Sequence, residues 1–75
     1  MFSKEIFASR LLRLRKEKNI SQQVLADQLG VSFHQVSKME TVQRGASLEV
    51  ACALADYFDV SLDYLVGRSD EPHRR

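Results

Sequence analysis

A chain of 75 residues has room for one small hydrophobic core and one domain. Its 44% hydrophobic content excludes a disordered chain, and its single cysteine, Cys52, excludes an internal disulfide framework and any cysteine-based zinc site. The net charge of +1 is uninformative, but residues 1–44 hold eight Lys and Arg against four acids, whereas residues 45–75 hold three Arg against six acids.

Phe7, Leu11, Leu14 and Lys18 recur on one helical face and predict a first helix over about residues 4–18. Asn19 is its stop, Ile20 turns into the core, and Leu12 lies off the face as a rim or exposed residue. Ser21 caps a second helix whose buried side is Leu25, Ala26 and Leu29. Gly30 follows at once, where positive φ closes one helix and redirects the chain. Ser32 then caps a third helix from about Phe33 to Glu40. At ~100° per residue, Val36 and Met39 point to the core while His34, Ser37, Lys38 and Thr41 point away.

Ser47 caps a fourth helix with Leu48, Ala51, Leu54, Ala55 and Phe58 as its inner face, ending near Asp59. Val60 bridges to Ser61, the cap of a short fifth helix whose Leu62 and Leu65 close the core, and Gly67 stops it. The domain is therefore expected over residues 1–67. Residues 68–75 contain Pro72 and no periodicity, so they are expected to form a flexible tail. The sum is an all-α fold. No apolar run approaches the ~18 residues of a membrane span and no signal peptide is visible, so a reduced, cytoplasmic setting is expected.

The two helices flanking Gly30, within residues 22–41, have the pattern of a helix-turn-helix, whose second helix suits the DNA major groove. Such a pair needs a small residue where the helices cross, and Ala26 supplies it. It needs a turn residue, which is Gly30. It needs apolar clamps beneath the second helix, and these are Val31, Val36 and Met39.

The segments LLRLRKEKNISQQVLADQLGVSFHQVSKME and SLEVACALADYFDVSLDYLVG resemble the Cro/cI-type helix-turn-helix family of phage repressors and bacterial regulators. The resemblance implies a compact five-helix domain of the lambda-repressor-like type. It also implies a homodimer that binds a palindromic double-stranded DNA operator through the major groove, most often as a transcriptional repressor. Phe33, His34, Ser37 and Lys38 match the base-facing positions, with Gln35 and Thr41 beside them. Gln22 matches a glutamine that meets a phosphate, and Ser32, Gln43 and Arg44 fall at further phosphate-contacting positions. Arg15 and Glu40 match a buried ion pair joining the first and third helices.

Two departures stand out. Val42 replaces the glycine usual after the recognition helix, and Ala46 replaces the proline usual before the fourth. TVQRGA is therefore expected to take a different path, with the third helix extended and Gly45 as the stop.

Individual residues carry competing readings. Lys38 reaches guanine O6 and N7 or a phosphate, or is an ordinary surface lysine. Phe33 presses on a thymine methyl or packs at the mouth of the core. Cys52 is expected as a small buried hydrophobe. Tyr57, Tyr64 and Val66 form a candidate dimer patch or simply pack the helix ends. His34 has no second ligand at metal-binding spacing, and neither a cofactor nor a small-molecule ligand is evident. The chain lacks a nucleophile–base pair and a phosphate-binding glycine loop, which argues against an enzyme. The rival function is an antitoxin-like interaction module whose principal partner is a protein.

Overall fold

Five serines open five helices. In the computed structural model, which describes residues 3–73, Ser3, Ser21, Ser32, Ser47 and Ser61 each accept a hydrogen bond from the backbone N–H three residues on, at 3.0–3.2 Å. Each thereby satisfies one of the unpaired N–H groups of a first helical turn. The helices so started are α1 (Lys4–Glu17), α2 (Gln22–Leu29), α3 (Phe33–Glu40), α4 (Leu48–Phe58) and α5 (Leu62–Leu65). Met1, Phe2, Arg74 and Arg75, the outer ends of the expected domain and tail, lie outside the described residues.

The first four helices stop in a common way. A single residue takes left-handed backbone, and the next N–H reaches back to a carbonyl of the last turn. Asn19 (φ 56), Gly30 (φ 70), Val42 (φ 67) and Asp59 (φ 55) are the left-handed residues. The N–H groups of Ile20, Val31, Gln43 and Val60 donate to the carbonyls of Arg15, Ala26, Lys38 and Ala55. After three of these stops an apolar side chain, Ile20, Val31 or Val60, drops onto the core. After α3 the corresponding residue is Gln43, which is exposed.

The stop of α3 corrects the expectation of a longer helix. Val42 itself adopts the left-handed conformation and ends α3 after Glu40, while Gly45 has no part in the stop. The reason is tertiary: Ala46 packs against the core and Ser47 opens α4, so the chain must turn at once.

Phe7, Leu11, Leu25, Val36, Met39, Leu54 and Leu65 form the fully buried centre. Ala8 joins the buried side of α1, whereas Leu14 is only partly covered. Two expectations for α4 are corrected. Leu48 is 73% exposed, because it occupies the first turn at the edge of the buried stripe and no element extends over it. Cys52 is also exposed. It lies about 100° around the helix from Ala51, outside the stripe made by Ala51, Leu54, Ala55 and Phe58.

The described part of the tail makes contacts to α1 and to the start of α5. The Arg10 guanidinium donates to the carbonyls of Tyr64 and Ser69, the latter at 2.7 Å, and pairs with Asp70 at 2.9 Å. It also lies 4.1 Å from the centre of the Tyr64 ring. Ser61 donates its N–H to the Pro72 carbonyl and its hydroxyl to the Glu71 carbonyl. These contacts carry no periodicity, so a helical pattern could not announce them.

Candidate nucleic-acid interface

Helix α3 packs on both α1 and α2. Val36 and Met39 are completely buried, which fixes the rotation of the helix about its axis. His34, Lys38 and Thr41 accordingly stand exposed, Ser37 and Gln35 are half-buried, and Phe33 is 42% exposed. The Phe33 ring meets the His34 ring edge to face, with centroids 5.7 Å apart. Thr41 turns its hydroxyl back onto the Ser37 carbonyl at 3.0 Å and accepts from the Gln43 amide at 3.0 Å. Ser32 accepts the Gln35 N–H and is exposed, and Arg44 is exposed beyond the helix.

The one acid of α3 is turned inward. Glu40 accepts from Arg15 Nε at 2.7 Å and from Arg15 Nη2 at 3.0 Å, a bidentate pair whose side chains are 3% and 13% exposed. Arg15 Nη1 also donates to the Ile20 carbonyl at 2.9 Å. The expected pair therefore exists, and it has a third member. Gln22 Nε2 donates to Glu40 Oε1 at 2.9 Å, so α1, α2 and α3 meet at one carboxylate. Gln22 thus turns its side-chain amide nitrogen to Glu40. Its backbone N–H remains at the start of α2, where helical N–H groups lack an internal acceptor. With Glu40 compensated, the outward flank of α3 carries one formal charge, the cation of Lys38.

This outward, uncompensated flank on a clamped second helix is the geometry of a DNA-reading helix-turn-helix. The family model described as "Helix-turn-helix" matches residues 11–65. The chain belongs to the Cro/cI-type helix-turn-helix family. Among curated relatives, this Cro/cI-type chain is 44% identical over 62 residues to the HTH-type transcriptional regulator AnsR of Bacillus subtilis, covering 83% of the chain and 53% of AnsR. It is 35% identical over 69 residues to the regulator PrpR of Mycobacterium tuberculosis, covering 92% of the chain and 14% of PrpR. The chain thus spans about half the length of AnsR and far less of PrpR.

Two solved structures extend the comparison. The restriction-modification controller protein C.AhdI from Aeromonas hydrophila superposes with a TM-score of 0.75 at 34% identity, covering 83% of this chain and 94% of that one. The P22 c2 repressor, solved in complex with a synthetic operator, superposes with a TM-score of 0.80 at 28% identity, covering 85% and 97%. The family is one of DNA-binding transcriptional regulators.

The candidate dimer residues separate in the structure. Tyr64 is only 8% exposed, with Arg10 stacked on its ring, so it is a core residue and not a surface contact. Tyr57 is half-buried, edge to face with Phe58 and 4.9 Å from Lys18 Nζ. Val66 lines a shallow groove of about 300 Å³ between α4 and α5, together with Leu48, Ala51 and Leu62, flanked by Asp63 and Arg68. Leu48 was the residue missed there, because its helical position alone assigned it to the core. Among the described residues, no group of three or more His, Cys, Asp or Glu is placed to hold a metal ion, and no helix is long and apolar enough to cross a membrane.

Proposed function

We propose that this chain binds a specific double-stranded DNA operator through the major groove and acts in the cytoplasm as a transcriptional regulator, most simply a repressor that occupies its site. One observation carries the reading: α3 is anchored by Val36 and Met39 while its outward flank offers Lys38, His34 and Thr41 with no uncompensated acid. In this reading Phe33, His34, Gln35, Ser37 and Lys38 face base edges, and the N-terminal turns of α2 and α3, with Ser32, Gln43 and Arg44, face phosphates. The P22 c2 repressor, solved on a synthetic operator, supports the same assignment.

Dimerisation completes the proposal. The α4–α5 groove offers apolar surface at Leu48 and Val66 between charges of opposite sign, Asp63 and Arg68, a pattern suited to a two-fold contact between copies. Two recognition helices would then fall in successive major grooves about 34 Å apart.

Selection of bound sequences from random duplex DNA tests both parts. The expected product is an inverted repeat with half-sites one helical turn apart, bound with steep salt dependence. Lys38→Ala should weaken binding by about 1–3 kcal/mol and leave folding intact. Val36→Asp should unfold the domain by burying an unpaired charge. Identical behaviour of these two variants, or no salt-sensitive preferred site, would defeat the proposal. A preferred site bound by a lone copy would instead leave the groove to another protein, as in an antitoxin-like module.

A further inference from the structure

The side chains of α3 divide by chemistry along the helix axis. At its first residue, Phe33 leaves a large apolar ring partly in water on a helix whose inward positions are filled. The edge-to-face contact with His34 favours this placement of the ring. Further along, Thr41 has committed its hydroxyl proton to the helix carbonyls, which leaves its methyl group rather than its donor for a ligand. Lys38, about 40° around the axis from His34 and about 140° from Phe33, is exposed and is a donor only.

We propose that the aromatic pair Phe33–His34 reads the methyl group of a thymine and that Lys38 reads a guanine about two base steps away in the same half-site. The inference rests on the DNA-binding reading above and adds the base composition and spacing of the half-site. The chemistry leaves little choice. A phenyl ring can neither donate nor accept a conventional hydrogen bond, and the thymine C5-methyl is the one apolar group on a major-groove base edge. An ammonium group seeks acceptors, and guanine O6 and N7 present two side by side. The axial spacing follows from helix geometry: five residues rise ~7.5 Å, about two steps of ~3.4 Å when the helix lies along the groove, while the ~140° between the two side chains spreads them across it.

The test uses the duplex selected by the wild-type chain. Each thymine is replaced in turn by uracil, which removes only the methyl, and each guanine by 7-deazaguanine, which removes N7. Binding is measured for the wild type, Phe33→Ala, Phe33→Leu and Lys38→Ala, each checked for folding by circular dichroism. At one thymine per half-site, uracil should weaken wild-type binding about fourfold, the loss for one exposed methyl. Phe33→Ala should erase that sensitivity, and Phe33→Leu should keep part of it. At a guanine about two steps away, 7-deazaguanine should weaken binding about fivefold or more in the wild type and not in Lys38→Ala.

Uracil sensitivity that persists unchanged in Phe33→Ala would overturn the inference while leaving DNA binding in place. So would a thymine and a guanine four or more steps apart. Failure to select any duplex would remove the DNA-binding reading, and this inference with it.

Discussion

The two ends of α3 are built on different principles. Its N-terminal end follows a glycine in left-handed backbone, is capped by the Ser32 hydroxyl, and is seated by Val31 against the core. Everything needed there lies within a few residues. The C-terminal end follows the same backbone geometry at Val42, a β-branched residue for which left-handed φ is strained, and the next residue, Gln43, stays in solvent. That end is held from a distance, by Glu40 reaching Arg15 on α1 and Gln22 on α2. Local geometry sets where the recognition helix begins. A long-range polar cluster holds its far end, where the packing of Ala46 and the start of α4 set the stop.

The largest expected effect lies at the distant contact. Glu40→Ala leaves the Arg15 guanidinium without its buried partner and should destabilise the domain by about 3–5 kcal/mol in urea denaturation. Hydrogen exchange should reveal the loss first at the last turn of α3. Equal loosening at both ends would show that the two ends are not held separately.

The two left-handed residues give a matched pair of smaller effects. Nothing lies within 4 Å of a Cβ built on Gly30, so Gly30→Ala isolates the backbone term and should destabilise by about 1–2 kcal/mol. Val42→Gly reverses the same term and should stabilise by about 1 kcal/mol, since the freer unfolded chain offsets part of the relief. In a domain of this size that gain is a rise of roughly 4–8 °C in Tm. A Val42→Gly variant less stable than its parent would show that the valine side chain, 38% exposed, contributes packing that outweighs its strain.

Much of the fold was legible in the sequence, and for identifiable reasons. Ser21, Ser32, Ser47 and Ser61 each stand just before an apolar period, so helix starts were readable at those positions. Val36 and Met39, three residues apart, fixed the inside of α3 and hence the outside. Ser3 went unnamed as a cap, although it does the same work. Val42 misled because residue preference favoured Gly45 as the stop, whereas the position of Ala46 and α4 decided it. Leu48 and Cys52 sit on the margin of the α4 stripe, where a periodic pattern cannot say which neighbour is present. Arg10 was one cation in a basic half until its contacts to Tyr64, Ser69 and Asp70, more than 50 positions away, gave it a structural task.

The candidate site divided along the same line. The exposure of His34, Lys38 and Thr41 follows from helical period alone. That Thr41 spends its hydroxyl on the Ser37 carbonyl, and that Gln22 turns to Glu40, depends on side-chain geometry no spacing encodes.

The sequestered Glu40 carboxylate has a genetic consequence. A substitution that removes Arg15, on a helix with no assigned nucleotide contact, would liberate an anion on the very segment meant to approach a polyanion. Such a lesion would imitate a defect in operator recognition while lying remote from it. Its lowered melting point, absent from a true recognition mutant such as Lys38→Ala, would tell the two kinds of mutant apart.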